Sequence, residues 1–174
     1  MPSGIPRFLA LTLALASLSI PGLPSEASGQ VLAAGGQVSM NRDLTAENTW
    51  GIGARAQLGL PLPGIILQGT ADFFTPDCGT LECDASEVSL NLVWSLPVPF
   101  LARPYLGAGV GMQDREGTWA SDEDSDYGIN VLAGIILQGP AFRRFQPFIE
   151  GKYQVMQEFD NQMVFSGGIL LRIF

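Results

Sequence analysis

Between Tyr127 and Gln138 the chain reads YGINVLAGIILQ. Taken alternately, Tyr127, Ile129, Val131, Ala133, Ile135 and Leu137 form one series, and Gly128, Asn130, Leu132, Gly134, Ile136 and Gln138 the other. Period two is the spacing of a β-strand, and the first series is apolar throughout. A half-buried strand of a water-soluble domain would place charges on its second face. Here that face carries glycine, amides and aliphatic residues and no charge at all. Deciding which of the two faces is enclosed decides the fold.

The same alternation runs through seven other segments: VLAAGGQVSMN from Val31, TWGIGARAQLGL from Thr49, IILQGTADFF from Ile65, EVSLNLVWSL from Glu87, YLGAGVGMQ from Tyr105, QPFIEGKYQVM from Gln146 and QMVFSGGILLRIF from Gln162. Eight strands of about 10–12 residues are therefore expected, the length that a tilted membrane-crossing strand needs. No run approaches the roughly 20 apolar residues of a membrane helix, although 47% of the 174 residues are hydrophobic and only 15% charged. The length suits one domain. A net charge of −8 excludes a nucleic-acid partner, because phosphate binding requires a basic face.

The connections fall into two kinds. PLPG, PVPFLAR and GPAFRR are short, rich in proline or glycine, and free of acid. RDLTAEN, TPDCGTLECDAS, DREGTWASDEDSD and QEFDN are mostly longer and acidic. They alternate along the chain, so short turns collect at one rim and acidic loops at the other.

The apolar series of all eight segments lacks Asp, Glu, Lys and Arg, as a face on a protein core also would. The opposite series decides the matter. It is dominated by Gly, Ser, Gln, Asn and Thr, with charges only at Arg55, Asp72, Glu87, Glu150, Lys152 and Arg172. Water would select many more charges, whereas the cramped inside of a narrow closed sheet selects small and amide side chains. The apolar face therefore points outward into lipid, across a band roughly 25 Å tall, and closure removes the unpaired edges that lipid cannot satisfy. Both termini then share the short-turn side, which is the periplasmic one. Trp50, Phe73 and Tyr127 near the acidic rim and Trp94 near the turn rim are expected as interfacial aromatics.

GIILQG occurs both at Gly64–Gly69 and at Gly134–Gly139. The first copy opens a strand leaving a short turn; the second closes a strand entering one. Their opposite directions exclude a superposable duplication, and neither leads into a helix as a phosphate-cradling loop must. The repeat is convergence at one depth of the barrel.

An export signal precedes the strands. Arg7 gives a positive start, Phe8–Ile20 is an apolar run too short to span a membrane, and Ser25-Glu26-Ala27 offers small residues for cleavage after Ala27, with Gly29 as the alternative. Residues 1–27 are thus assigned to a secretory signal peptide and 28–174 to the barrel. Outside the cytoplasm Cys78 and Cys83, spaced C-x4-C, are expected to form a short-loop disulfide, with free thiols as the alternative. Zinc is not expected, since the chain has no histidine and too few thiols for a structural site.

The chain resembles the small outer-membrane β-barrels of Gram-negative bacteria, of the OmpX, opacity-protein and OmpA transmembrane-domain kind. The signal, the eight alternating segments, the loop and turn asymmetry and the aromatic end of GGILLRIF carry the resemblance. It implies an all-β, eight-stranded, antiparallel up-and-down transmembrane barrel in the outer membrane, reached through the periplasm and monomeric. It also implies lipid and lipopolysaccharide as surroundings, and Phe174 as an assembly signal read by the barrel-assembly machinery. Phe174 departs from that pattern, because it shares a register with Leu170 and Arg172 rather than with the apolar series ending at Ile173.

Arg55, Asp72, Glu87, Glu150, Lys152 and Arg172 are the candidate interior site, read as a plug of ion pairs because unpaired confined charges are costly. Centring the PLPG turn makes Arg55 and Asp72 diagonal neighbours within mutual reach, with Glu150 and Lys152 two apart on one face and Arg172 on the next strand. Asp122, Asp124 and Asp126 form a weak calcium candidate, since Tyr127 and Ala133 stand where an EF-hand needs its turn glycine and bidentate glutamate. The alternative is a solvated acidic loop, loosely associated with divalent ions. Catalysis is not expected without histidine or an obvious serine and base pair, and no cofactor is expected. A structural or surface-interaction role is expected, with an extracellular ligand at Trp119 and the acidic loops. The alternatives are a narrow pore for small solutes and a soluble lipocalin-like binding barrel.

Overall fold

The computed structural model describes residues 32–42, 48–76, 83–96, 101–117 and 125–173. The signal segment, Cys78, Trp119, Asp122, Asp124 and Phe174 lie outside the described residues. Eight strands follow in chain order: β1 (Leu32–Asn41), β2 (Thr49–Gly59), β3 (Ile65–Phe74), β4 (Cys83–Ser95), β5 (Ala102–Gly117), β6 (Ser125–Leu137), β7 (Phe145–Met156) and β8 (Gln162–Arg172). Each pairs antiparallel with its sequence neighbour, and β8 closes on β1 from Ala33↔Arg172 to Asn41↔Val164. The result is a closed up-and-down barrel with no free edge.

Alternation sorts the side chains as the physical argument requires. Leu90, Leu92, Val110, Ile129, Val131 and Ile149 each expose half or more of their surface on the outside. Gln68, Asn91, Asn130, Gln154 and Gln162 are buried on the inside. A soluble barrel would show the reverse. Trp50, Phe73 and Tyr127 stand outward in the loop half, and Trp94 stands outward at the turn end.

β4 and β5 outrun their alternating segments furthest. Pairing between β4 and β5 continues through Ser86↔Asp114, Ala85↔Arg115 and Asp84↔Glu116 to Cys83↔Gly117, all within stretches that read as loop by composition. Above the apolar belt a ribbon can carry acidic side chains, because the ladder itself supplies its backbone hydrogen bonds. Cys83, at the start of β4, is disulfide-bonded.

The β2–β3 turn is tight. The Leu60 N–H donates to the Ile65 carbonyl at 2.9 Å, the Ile65 N–H returns to Leu62 at 3.1 Å, and Gly64 has φ of 76°. That left-handed backbone is why glycine ends PLPG. A 3₁₀ turn, Pro140–Phe142, joins β6 to β7.

Candidate functional site

Eight strands enclose an interior only about wide enough for side chains to fill, and here it is filled in tiers. At the turn end Ala33, Val93, Tyr105, Leu132, Ile136, Phe148 and Leu170 form an apolar floor, each 3% exposed or less. Inward Leu132, Ile136, Phe148 and Leu170 had the right alternation, but only closure brings them into one layer.

Above the floor lies Arg55, projecting from β2. Its guanidinium grips Glu150 of β7 through two bonds of 3.0 and 2.7 Å, with both side chains almost wholly buried. Tyr105 donates to the same carboxylate at 2.8 Å and the Gln68 amide at 3.0 Å, while Phe148 stacks 4.0 Å beneath the guanidinium. Burying two charges is costly, and such extra hydrogen bonds offset the cost.

The expected contact between Arg55 and Asp72 does not form. The register pairs Arg55 with Thr70 and so leaves Asp72 diagonal to it, but Gln37 sits between them. Arg55 Nε donates to Gln37 Oε1 at 2.8 Å, and Gln37 Nε2 donates to both Asp72 oxygens at 2.7 and 2.9 Å. Ser39 adds a third bond to Asp72 at 2.7 Å. Among the described residues Asp72 has no cationic partner, and neutral donors solvate it.

Lys152 also looks across the barrel. It pairs with Glu87 of β4 and not with its strand neighbour Glu150. The reason is geometric: a strand face spaces residues i and i+2 about 7 Å apart, whereas a narrow barrel brings opposite walls within side-chain reach. Arg172 is not part of the plug. It stands exposed at the turn end of β8, below the apolar floor.

Toward the loops, Asn41, Gln162 and Gln113 form a chain of amides, with Gln162 donating to Gln113 at 2.6 Å. Phe74, Ala85 and Val164 make a small apolar cap. Asp126, at the mouth, accepts backbone N–H bonds from Glu158 at 2.8 Å, Phe159 at 2.7 Å and Tyr127 at 2.6 Å. It therefore latches the β7–β8 connection to β6. Arg115 covers the Phe159 ring at 3.8 Å on the same connection. Among the described residues no cluster of three metal-ligating side chains is found.

No protein-family model matches the chain, and no curated protein matches it. Solved structures do. Neisserial surface protein A superposes with a TM-score of 0.60 at 12% identity, covering 84% of this chain and 98% of that one. The N-terminal β-barrel domain of Pseudomonas aeruginosa OprF gives 0.59 at 15%, covering 83% and 100%. Ail, the attachment invasion locus protein of Yersinia pestis, gives 0.55 at 11%, covering 82% and 95%. These are small eight-stranded outer-membrane barrels, and the chain shares their fold.

Proposed function

We propose that the chain is an integral protein of the bacterial outer membrane whose sealed barrel anchors acidic loops at the cell surface. It is a structural or surface-interaction protein and not an enzyme. In this reading the short turns face the periplasm, the loops face outward, and the barrel inserts as a monomer with the help of the barrel-assembly machinery. The acidic loops meet lipopolysaccharide through divalent ions and offer a site for an extracellular ligand.

One observation carries the reading: a greasy exterior surrounds an interior crossed by buried side chains bonded to one another. Leu92 and Val131, at 52% and 59% exposure, lie outside any protein core, which supports contact with acyl chains. Inside, the apolar floor and the Arg55–Glu150 and Lys152–Glu87 pairs lie across the axis. This filling supports a closed anchor over a solute pore, and the outward apolar belt supports a membrane barrel over a soluble binding barrel.

Planar-bilayer recording of the refolded chain tests it. Silence, or only rare brief openings, is expected. A large steady conductance would overturn the sealed-anchor reading in favour of the pore.

A further inference from the structure

The interior of the barrel does not balance its charges. Between the apolar floor and the amide chain of Asn41, Gln162 and Gln113, the buried ionic side chains are Arg55 and Lys152 against Asp72, Glu87 and Glu150. Two cations face three carboxylates. No other cation closes the gap. Of the nine Lys and Arg in the chain, Arg42, Arg143 and Arg144 are exposed, Arg103 and Arg172 lie at the turn end, and Arg115 covers Phe159 at the mouth. Only Arg7, in the signal segment, falls outside the described residues.

The excess charge gathers at one place. Arg55 closes on Glu150, and Lys152 takes only Oε1 of Glu87. Asp72 and Glu87 are partners in the β3–β4 register, both turned inward, and near enough for their charges to repel. Side chains so paired start from Cβ atoms about 5 Å apart, which lets two carboxylates share one small ion.

The atoms around that place lack a positive occupant. Glu87 Oε2 is buried without a hydrogen-bond partner, and so is Oε1 of Gln154, which reaches Glu87 from β7. Both residues are 1% exposed. Asp72 Oδ2 accepts from Gln37 alone, at 2.9 Å, and keeps a lone pair. Buried acceptors left unpaired are costly. A water could bond to two of them, but it would leave the charge standing. Gln113, partner of Glu87 on β5, has an unpartnered Nε2 that can donate to a water on the ion.

We propose that the lumen binds one monovalent alkali cation, held by Asp72 Oδ2, Glu87 Oε2 and Gln154 Oε1. Carboxylate and amide oxygens suit a hard cation rather than a transition metal. Charge then chooses among hard cations: a single positive charge neutralises the enclosed tier, and a divalent ion would overshoot. The floor closes the turn end, so the ion exchanges from the loop side. The site needs only the closed barrel and stands apart from the role of the loops.

Urea unfolding of the full chain, refolded in phosphatidylcholine vesicles, tests it in sodium chloride against N-methylglucamine chloride at matched ionic strength and pH. Sodium is expected to stabilise the parent. The folded-to-unfolded ratio should rise about tenfold for each tenfold increase in sodium above its dissociation constant. D72N removes the excess charge and should lose that dependence. D84N, which alters an exposed acid on the outer face of β4, should keep it. Identical midpoints of the parent in the two salts overturn the proposal without recourse to any variant. So does a sodium effect that D72N retains or D84N abolishes. A parent that responds to pH and not to sodium also overturns it, because the missing charge would then be a proton. Greater stabilisation by calcium than by sodium, lost in D72N, would overturn the monovalent assignment.

Discussion

Arg55 and Asp72 are both buried charges on adjacent strands, yet their surroundings assign them different costs of removal. Arg55 is the sole cation on Glu150 among the described residues, so Arg55→Met strands a buried carboxylate and should destabilise the barrel by about 3–5 kcal/mol. Asp72 is held by Gln37 and Ser39, which are neutral. Asp72→Asn keeps the shape, removes a charge without a counter-ion, and should fall within about 1 kcal/mol of the parent. Urea unfolding in lipid vesicles measures both. Equal losses would mean that Asp72, too, is held by a charge.

At the scale of the strand, glycine has two meanings, set by the face it occupies. Gly109 points inward on β5, where an added Cβ would overlap the Leu90 carbonyl and crowd Asn91. Gly36 and Gly69 point outward, with the nearest atoms 3.8 and 4.0 Å from such a Cβ. Gly109→Ala should therefore cost about 1–3 kcal/mol by forcing β4 and β5 apart, while Gly36→Ala and Gly69→Ala should be close to neutral. Unfolding midpoints of the three variants decide it. The curvature that crowds the inner wall is the same feature that lets Lys152 reach Glu87.

The whole molecule is organised along its axis, with an apolar belt between an arginine-bearing rim and an acidic one. Position in that belt sets the cost of a charge. Leu90 lies midway along β4 between Trp94 and Ser86, the partner of Phe73, and is 52% exposed. Leu90→Arg should cost about 2–4 kcal/mol, and Leu62→Arg, in the β2–β3 turn, only about 0–1. Equilibrium unfolding in vesicles reads the difference, and equal costs would contradict the position assigned to the belt.

Much of this was legible in the chain itself. Alternation in segments such as Tyr127–Gln138 assigned nearly every side chain to a face, because a strand has period two whatever surrounds it. The sparsely charged second face, rich in glycine and amides, then told inside from outside, and turn lengths told one rim from the other. What the sequence could not show was partnership across the lumen. Arg55 to Glu150, Lys152 to Glu87, Gln37 between Arg55 and Asp72, and Arg172 outside the plug are set by how the barrel closes. Closure sets distances between strands far apart in sequence, and no local pattern encodes those. The extension of β4 and β5 past the belt was hidden for a related reason: beyond the belt the outer series is polar, as at Asp84 and Ser86, while Cys83 and Ala85 stay buried, so pairing continues without an apolar outer face to mark the strand.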